Sequence, residues 1–494
     1  MNRDENLERV RTRTKPWDII VIGGGATGVG CAVDAASRGF DVLLLEQQDF
    51  GWGTSSRSTK LVHGGVRYLR QGNISLVREA LKERGLLLRN APHIVRAQEF
   101  IVPCYGMFDK FFYGVGLKIY DLLAGKYSIG RPRILSRQET VERLPTVKSD
   151  GLSGGILYYD GQFDDARLLI DMAKTASQYG ACLVNYLRVV NLTKESDLIT
   201  RVRLHNTTSD EFVETHARSV INATGAYCDP VRLMSDESAQ PIVAFARGSH
   251  IVLPRKFLPS DSAVMIPKTN DGRVLFCIPW LDHVLVGTTD VSCKTTELGQ
   301  IATDEEVIFL LETAGAYLNE QPTLTEILSK FAGVRPLIRR GNTKNTSSLS
   351  RSHELFVDNN GLITITGGKW TTYRRMAEEA VNKAIEIGCL SFVECQTETL
   401  IVTPSPTISG ERIHPDLPYT RDDLIRAVRD EMAQTVEDVL ARRTRALFLN
   451  ANAARELAPL VAEILRIELG RNESQIAEDL IKFEIISRKY MASR

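Results

Sequence analysis

The sequence predicts an α/β fold, with α+β character over the whole chain. The order of segments at the start of the chain supports this class. An apolar run at 18–22 is followed at once by glycines, then by an alanine-rich stretch that ends at Ser37, and a second apolar run covers 41–46. This order is typical of a strand, a tight turn, a helix and a second strand. Because a crossover helix joins parallel strands, the opening unit predicts a parallel sheet.

Later segments extend this pattern, and others interrupt it. Residues 163–180 and 369–387 are predicted as helices, and 361–366 as a strand. The stretches 75–150 and 235–350 contain alternating and aromatic-rich segments that do not fit a βα repeat. They predict a second domain, interleaved with the first, that contains a mixed or antiparallel sheet.

The C-terminal part of the chain is predicted to be a small helical domain. Prolines at 404, 406, 415 and 418 mark a linker. Thr420 and Asp423 then form a capping-box pattern before a run of helical periodicity. The expected boundaries are 15–75, 150–235 and 352–395 for the first domain, 76–149 and 236–351 for the second, and 396–494 for the helical domain.

Composition and charge exclude several classes of protein. Of the 494 residues, 43% are apolar and 25% charged, which is typical of a soluble globular protein. Lysine plus arginine equal aspartate plus glutamate at 61 each, so no nucleic-acid partner is expected. The eight cysteines form no C-x-x-C pair and no zinc-site spacing, so we expect no metal and a reducing, cytoplasmic location. No run of about twenty apolar residues appears, so any membrane contact is expected to be peripheral.

Three glycines after the first strand predict a dinucleotide site. Gly23, Gly25 and Gly28 satisfy G-x-G-x-x-G where the strand ends and the helix begins. Glycines permit a tight turn there, and the helix N-terminus meets the charge of a pyrophosphate. Glu46 ends the second strand, where a carboxylate accepts hydrogen bonds from an adenosine ribose and disfavours the 2′-phosphate of NADP. A glycine-rich surface turn is the alternative interpretation, and the motif alone does not separate NAD from FAD.

Blocks of sequence spread over the chain carry a family resemblance. They are T-S-S-R-S-T-K-L-V-H-G-G-V-R-Y from Thr54, N-A-T-G ending at Gly225, R-G-S-H-I-V-L at 247–253, P-W-L-D at 279–282, V-G-T-T-D at 286–290, A-G-V-R-P-L at 332–337, G-G-K-W-T-T-Y-R at 367–374 and R-R-T-R-A-L-F-L-N at 442–450. In these blocks the chain resembles the aerobic FAD-dependent glycerol-3-phosphate dehydrogenases, within the glycine-oxidase and amino-acid-oxidase type of flavoprotein. The resemblance implies a Rossmann-like FAD-binding domain, an interleaved substrate-binding cap domain and a C-terminal helical domain.

The resemblance also implies FAD as the cofactor and a set of residues that hold it. With the glycine-turn residues included, the set is Gly23, Gly25, Gly28, Glu46, Thr54, Ser55, Ser56, Lys60, Leu61, His63, Gly64, Gly225, Thr371 and Thr372. Independently, Gly367 and Gly368 with the threonines that follow place backbone N–H groups at a helix start, which suits the negative charge of a reduced flavin. Thr371 and Thr372 are also helix-capping types, a role compatible with flavin contact.

A cationic stretch indicates a dianionic substrate. Arg335, Arg339, Arg340, Lys344 and Arg351 occur with no acidic residue among them. For Arg339, Arg340 and Lys344 a solvated surface is the stronger interpretation. The resemblance places five residues in the substrate pocket: Arg67, Tyr68, Arg335, Arg351 and Lys369. Because a guanidinium binds phosphate oxygens through two parallel hydrogen bonds, the arginines suit the phosphate of sn-glycerol 3-phosphate.

Oxidation of a secondary alcohol requires a proton acceptor beside the hydroxyl while the carbinol hydride moves to flavin N5. His250 is the first candidate, since histidine titrates near neutrality. The alternative is a structural His250, with an arginine or water as the acceptor. Arg335 and Lys369 complete the expected catalytic set, and Lys369 is expected to stabilise a developing alkoxide or the reduced flavin. Asp290 is interpreted either as a second acid–base group or as a turn-capping residue.

The resemblance implies oxidation of sn-glycerol 3-phosphate to dihydroxyacetone phosphate, with electrons passed to a quinone at the inner face of the cell membrane. Three alternatives stay open: a glycerol-3-phosphate oxidase that uses O₂, an amine or amino-acid oxidase on the same scaffold, and a flavin-binding scaffold protein without turnover. A homodimer is compatible with the sequence. Residues 111–123 are apolar and aromatic, with lysines interspersed. For them, burial in the cap domain is the stronger interpretation, and contact with a membrane interface is the other.

Overall fold

The computed structural model describes residues 1–70, 72–195, 197–267, 269, 273–293, 301–339, 352–406 and 408–492. The strands are β1 Trp17–Ile22, β2 Val42–Leu45, β3 Leu61–Val62, β4 Val95–Cys104, β5 Arg133–Leu135, β6 Gly154–Phe163, β7 Cys182–Val184, β8 Leu187–Glu195, β9 Leu198–Asn206, β10 Glu211–Asn222, β11 Val243–Pro254, β12 Ala263–Ile266, β13 Leu275–Trp280, β14 His283–Gly287, β15 Val291–Cys293, β16 Ser329–Ile338, β17 His353–Val357, β18 Ile363–Gly367, β19 Arg412–His414 and β20 Leu417–Thr420. The helices are α1 Arg3–Thr12, α2 Ala26–Ser37, α3 Val66–Arg70, α4 Ile74–Asn90, α5 Met107–Ala124, α6 Arg137–Arg143, α7 Asp165–Gln178, α8 Cys228–Ser235, α9 Asp304–Tyr317, α10 Tyr373–Ile387, α11 Arg421–Arg429, α12 Ala446–Leu449, α13 Ala451–Leu469 and α14 Glu473–Arg488.

The first sheet is the parallel sheet that the opening βαβ pattern predicts. Its order is β17-β18-β10-β1-β2-β7, with parallel pairing from β18 to β7 and β17 antiparallel at one edge. Strands β8 and β9 continue antiparallel from β10. The predicted strand, helix and strand of the opening unit are confirmed as β1, α2 and β2, with small differences at their ends.

Both faces of this sheet are covered, which explains its continuous apolar strands. Ile19 and Val21 of β1 belong to a core formed with α2, α7 and α10. Ile20 and Ile22, which alternate with them, belong to a core on the opposite face with α1 and β8–β10. The sheet is therefore rigid at the point where β1 ends in the glycine turn.

The second sheet confirms the expectation of a mixed or antiparallel sheet. Its order is β15-β11-β14-β13-β12-β4-β6-β3, with β16 beside β11 and β5 beside β6. Among the described strands, its pairs are antiparallel except that of β12 with β4. Strands β3 and β6 pair here, although they lie inside ranges expected for the first domain. The domain boundaries themselves stay a prediction.

The C-terminal helical domain is confirmed. Helix α11 begins with the predicted capping box, in which Thr420 Oγ1 accepts from the N–H of Asp423 and the Asp423 carboxylate accepts from the N–H of Thr420. Helices α11 to α14 share a core with Phe331 and Trp280 of the second sheet. The domain therefore packs directly behind the strands that carry the candidate catalytic residues.

A buried ion cluster fixes the C-terminal domain to the first domain. Asp49 accepts a hydrogen bond from Arg442 at 2.6 Å and two from Arg443 at 2.8 and 2.7 Å. All three side chains are buried. Burial alone would raise the pKa of the Asp49 carboxyl, but the two guanidinium groups outweigh burial and lower the pKa to about 2.

The expectation that residues 111–123 are buried in the cap domain is wrong for one face of α5. The exposed side chains on this face are Phe108 (77%), Phe111 (71%), Phe112 (46%), Val115 (43%), Ile119 (44%) and Leu122 (78%). They recur at helical spacing and form one stripe, whereas Leu117 and Tyr120 on the opposite face are buried. The sequence of this stretch is apolar on most sides of the helix. It therefore could not show that no other helix or strand of the described residues covers one face of α5. Within the described ranges, no helix has both the length and the apolar character needed to cross a bilayer.

Replacing Asp49 by asparagine should destabilise the fold. Asp49→Asn leaves the Arg442 and Arg443 charges without their shared partner, and breaking a buried ion pair in this way costs about 3–5 kcal/mol. We expect a clear fall in the thermal unfolding temperature, measured by calorimetry. Asp41→Asn is the control, because Asp41 pairs with Arg13 and its side chain is 60% exposed. Equal unfolding temperatures for the wild type and Asp49→Asn would show that the cluster contributes no stability.

Candidate active site

A large cavity is lined by both sheets. Its volume is about 2100 Å³, against about 300–1,000 Å³ for an ordinary small-molecule pocket. The walls come from the ends of β1 and β18, the turn after β10, strands β11 and β16, and helix α5. Ligands of open parallel sheets bind beyond the carboxyl ends of the strands, so the cavity lies where a nucleotide is expected.

The glycine turn has the geometry that a pyrophosphate needs. Gly23 has φ +111°, and a Cβ there would lie 2.7 Å from the carbonyl oxygen of Ala223. A Cβ on Gly28 would collide with the carbonyl oxygen of Gly23. Gly25 is the N-cap of α2. Because glycine has no side chain, it does not cap the first N–H groups of the helix. A dinucleotide pyrophosphate therefore fits this turn, with the start of α2 as its binding surface.

Glu46 lines the same cavity at the end of the second strand. Its carboxylate accepts from the N–H of Gly24 at 2.7 Å and from the N–H of Gln48 at 2.8 Å. Burial raises the pKa of the Glu46 carboxyl, although these two hydrogen bonds oppose the change. The two bonds also orient the carboxylate, which is the acceptor that ribose hydroxyls require.

Residues 54–64 form the wall beside the glycine turn. Thr54, Ser55, Leu61 and His63 line the cavity. Ser55 Oγ accepts from the N–H of Ala26 at 2.9 Å, which joins the loop to the first turn of α2. These four residues therefore face the cavity, and their contact with the cofactor stays a prediction.

Several other predicted cofactor residues lie outside the described lining of the cavity. They are Gly28, Ser56, Lys60, Gly64 and Thr372. Gly28 shapes the turn, Gly64 donates its N–H to the Tyr120 hydroxyl at 2.7 Å, and Thr372 Oγ1 donates to the carbonyl oxygen of Lys369 at 3.2 Å. Their direct contact with the cofactor stays a prediction.

Lys60 supports the loop from behind. Its ammonium lies 2.7 Å from Asp165, with both side chains fully buried, and donates to the carbonyl oxygen of Ser56 at 3.0 Å. The rings of Trp280, Phe331 and Phe448 surround it at 5.1–5.4 Å from nitrogen to centroid. Burial lowers the pKa of Lys60 to about 8.

The segment before α10 forms the opposite part of the same surface. Gly367 and Gly368 have φ +79° and +69°. Thr371 Oγ1 accepts from the N–H of His63 at 3.2 Å, and the Trp370 indole donates to the carbonyl oxygen of Ser55 at 2.8 Å. Gly225 and Thr371 line the cavity, and their contact with the cofactor stays a prediction. The loop at 54–64 and the turn at 367–372 are thus held together where the flavin is expected.

Arg335 of β16 extends across β11 into the cavity. A Cβ on Gly248 would collide with its guanidinium, so glycine at 248 makes room for the side chain. The guanidinium donates to the carbonyl oxygen of Thr289 at 3.2 Å and to Thr288 Oγ1 at 3.1 Å. Asp290 Oδ1 lies 3.4 Å from Nη1 of the Arg335 guanidinium. Asp290 is thus a charge partner of Arg335, a role that neither sequence interpretation anticipates.

His250 lies on β11, two residues after Gly248, and lines the cavity. Its side chain is buried, its ring stacks on Phe331 with centroids 4.8 Å apart, and Nε2 lies 2.9 Å from Thr59 Oγ1. Burial, and then the charges of Lys60 and Arg335, hold the pKa of His250 well below its usual range. The imidazole is therefore neutral at pH 7, and the same causes make it a weaker base than an exposed histidine.

Lys369 and Tyr68 form a second cationic position in the cavity wall. The Lys369 ammonium lies 4.0 Å from the centroid of the Tyr68 ring. Gly65, with φ +84°, leaves room for that ring, since a Cβ there would collide with Tyr68. The structure thus brings Tyr68, His250, Arg335 and Lys369 to one cavity.

Two predicted substrate residues are not described. Arg351, like Arg340 and Lys344, lies outside the described residues, and the side chain of Arg67 in α3 does so as well. Arg339 is exposed at the cavity edge and donates to the carbonyl oxygen of Val243 at 2.7 Å. Roles for Arg67 and Arg351 in phosphate binding stay predictions.

The sequence did not predict that Thr59, Thr288 and Thr289 belong to the site. Thr59 contacts His250, and the other two threonines hold Arg335. All three lie inside blocks that carry the family resemblance, S-T-K-L and V-G-T-T-D, so their presence in these blocks was the available signal. Their partners lie far away in the sequence, and only the fold shows the contacts.

Comparisons with known proteins agree with this geometry. A family described as "FAD dependent oxidoreductase" matches residues 18–374, and one described as "C-terminal domain of alpha-glycerophosphate oxidase" matches 395–476. The mitochondrial glycerol-3-phosphate dehydrogenase of Arabidopsis thaliana is 36% identical over 98% of this chain and 88% of that protein. The mitochondrial glycerol-3-phosphate dehydrogenase of Homo sapiens is 37% identical over 94% of this chain and 72% of that protein.

Solved structures show the same similarity. The glycerol-3-phosphate dehydrogenase from Bacillus halodurans, complexed with FAD, superposes with a TM-score of 0.79 at 26% identity, covering 99% of this chain and 97% of that one. Glycine oxidase from Geobacillus kaustophilus superposes with a TM-score of 0.57 at 19% identity, covering 80% and 100%. The similarity to glycine oxidase, at 19% identity, shows a shared fold and nothing further.

Proposed function

The chain belongs to the FAD-dependent oxidoreductase family, and we propose that it oxidises sn-glycerol 3-phosphate to dihydroxyacetone phosphate and passes the electrons to a membrane quinone. One observation carries the proposal: a dinucleotide cradle, a buried neutral histidine and two cationic side chains line one cavity. The cradle fits FAD, the cations fit a phosphate, and the histidine fits an alcohol proton. The names of the curated relatives support the same substrate.

Arg335 and Lys369 supply positive charge for the substrate phosphate. The Thr288–Asp290 turn orients the Arg335 guanidinium before the substrate arrives, so little side-chain freedom is lost on binding. Contact with the Tyr68 ring restricts the Lys369 ammonium in the same way. Two preoriented cations suit a dianion better than the single carboxylate of an amino acid.

His250 accepts the proton of the substrate hydroxyl at Nε2. Nδ1 is buried without a hydrogen-bond partner among the described residues, whereas Nε2 contacts Thr59, which lines the cavity. We place the accepting lone pair on Nε2 because this nitrogen faces Thr59 at the cavity wall, and the ring proton then lies on Nδ1. Burial is the largest cause of the lowered pKa of His250, and a bound dianion offsets only the two smaller causes, the charges of Lys60 and Arg335.

The glycine turn and Glu46 would hold FAD, which when bound would supply the redox chemistry by accepting the carbinol hydride. Lys369 is the N-cap of the turn at 370–372, beside the surface predicted for the flavin. Its charge stabilises the alkoxide that develops as the hydroxyl proton leaves.

An enzyme that uses O₂ is the second candidate. The observation that favours it is the match of 395–476 to a domain named after alpha-glycerophosphate oxidase. The substrate and the roles of His250, Arg335 and Lys369 are the same in both candidates, and only the electron acceptor differs. An amine oxidase or a scaffold without turnover would leave the paired cations and the neutral histidine without a role.

The exposed face of α5 supports membrane contact and an apolar acceptor. Five residues of the exposed stripe also line one end of the cavity: Phe108, Phe111, Phe112, Val115 and Ile119. A quinone dissolved in a bilayer could therefore approach the cofactor along an apolar wall. Lys118 and Lys126 are exposed beside the stripe and suit anionic lipid headgroups. We place α5 at the inner face of the cell membrane.

Anaerobic addition of sn-glycerol 3-phosphate should bleach the visible absorbance of bound FAD in the purified protein, because hydride transfer reduces the flavin. Glycine and sarcosine should leave the spectrum unchanged. A water-soluble quinone should then restore the absorbance faster than O₂ does. Bleaching by an amine but not by glycerol 3-phosphate would make the chain an amine oxidase, and faster recovery with O₂ would favour the second candidate.

Removing the Arg335 guanidinium should weaken substrate binding. Hydrogen bonds to charged groups contribute about 1.5–3 kcal/mol, so Arg335→Ala should raise KM for glycerol 3-phosphate about 10- to 100-fold. Steady-state kinetics with a soluble acceptor measure the change. Arg339→Ala is the matched control, because Arg339 is exposed at the cavity edge, and its KM should change much less. An unchanged KM in Arg335→Ala would remove Arg335 from the phosphate site.

The pH dependence of kcat/KM should show His250 neutral down to acidic pH. Because its pKa lies well below the usual value, activity is retained as pH falls through about 6.5 and is lost only where the imidazole becomes protonated. His250→Gln should lower kcat about 10²- to 10⁴-fold and remove this acidic limb. A fall in kcat/KM near pH 6 that persists in the variant comes from protonation of the substrate phosphate, whose second pKa is about 6. A variant that keeps wild-type kcat would rule out His250 as the base.

Polar substitutions on the exposed face of α5 should release the protein from membranes. Each large apolar side chain contributes about 1.5–3 kcal/mol when it leaves water, so Phe111→Ser with Leu122→Ser should strongly reduce cosedimentation with vesicles containing phosphatidylglycerol. Phe392→Ser is the control, since Phe392 is also exposed, at 68%, but lies outside α5. Anaerobic FAD reduction checks that each variant is folded. Equal cosedimentation of the α5 variant and the wild type would contradict the assignment.

A further inference from the structure

The turn that holds Arg335 is itself held from outside the cavity. Thr289, whose carbonyl oxygen accepts from Arg335, is buried at 2% exposure. Its hydroxyl donates to Glu306 Oε1 at 2.7 Å and accepts from the N–H of Ser249 at 2.9 Å. Thr289 is therefore bonded to the arginine through its backbone and to a buried carboxylate through its side chain.

Glu306 lies in the first turn of α9 and is 5% exposed. Its second oxygen, Oε2, accepts from the N–H of Thr303 at 3.1 Å and lies 2.9 Å from Arg247 Nε. The carboxylate is thus fixed by a helix capping box on one side and by an ion pair with β11 on the other. Glu306 is absent from the described lining of the cavity, so it does not reach the substrate.

We propose that Glu306 is a positioning residue for phosphate binding, acting through Thr289 to orient the Arg335 guanidinium; the assignment rests on the proposed function. The contacts run from Arg247 and the backbone N–H of Thr303 to Glu306, from Glu306 to Thr289, and from Thr289 to Arg335. Each step joins groups that are buried or half-buried, where a hydrogen bond loses little to competition from water. Without the carboxylate, Arg335 keeps its charge but loses the fixed carbonyl that aligns it.

A positioning role for Glu306 can be separated from its role in capping α9. Glutamine serves in a capping box as well as glutamate does, so Glu306→Gln keeps the cap of α9 while weakening the bonds to Thr289 and Arg247. Thr289→Val removes the hydroxyl and its two bonds, whereas Thr289→Ser keeps the hydroxyl. Thr303→Ala weakens the cap by removing the hydroxyl and its 3.3 Å bond to Glu306 Oε2, but it keeps the bond from the backbone N–H of residue 303 and the Glu306–Thr289 bond.

The test compares these four variants as FAD-loaded protein. Calorimetry measures the binding of inorganic phosphate, and steady-state kinetics measure KM and kcat for glycerol 3-phosphate. We expect Glu306→Gln and Thr289→Val to weaken phosphate binding and raise KM together by about tenfold, the equivalent of about 1.4 kcal/mol, with a smaller change in kcat. Thr289→Ser should restore both values, and Thr303→Ala should lower the unfolding temperature without changing either.

Unchanged phosphate affinity and KM in Glu306→Gln and Thr289→Val would overturn the inference. So would a Thr303→Ala variant with the same loss of affinity, because the effect would then come from the stability of α9. If the proposed function is wrong, the result differs from these two: glycerol 3-phosphate would not reduce the FAD of the wild-type protein. Phosphate calorimetry tests the positioning role in that case too, because it does not require turnover.

Discussion

The site depends on one packing constraint: two functional side chains lie flat against glycine backbone in the second sheet. Arg335 lies over Gly248 of β11, and His250 of β11 lies over Gly287, its register partner on β14. A Cβ at either glycine would displace the guanidinium or the imidazole. Because β11 lies between β14 and β16, this packing brings the base and the cation to the same stretch of cavity wall.

Buried charge pairs keep this wall in place. Lys60 with Asp165 holds the 54–64 loop from behind, and Arg445 of the C-terminal domain donates to the carbonyl oxygen of Ser56 in that loop at 2.6 Å. The Asp49 cluster joins the same domain to the end of β2. The C-terminal helices therefore stabilise the cofactor loop without lining the cavity. Such pairs are costly to break, and they make a rigid support for groups that must be preoriented.

The parts of the structure that were predictable from the sequence are those set by local pattern. Apolar runs and glycines predicted β1, α2 and β2, and the position of Glu46 predicted its place at the cavity. The order of strands in the second sheet was not predictable, because β4 pairs with β12 and β6 over long separations that no local pattern encodes. The pairing of the Lys60 side chain with Asp165, which lies 105 residues away, was also not predictable from the sequence block that contains Lys60. Apolar character alone likewise could not show which face of α5 is left open.

The central claim is that the phosphate-binding cations, the neutral histidine and the flavin meet in one cavity. A crystal structure of the FAD-loaded protein with dihydroxyacetone phosphate tests it most directly. We expect phosphate density in contact with Arg335 and Lys369, and the C2 oxygen within hydrogen-bond distance of His250 Nε2. Phosphate density elsewhere, or a histidine separated from the C2 oxygen by the width of the cavity, would contradict it.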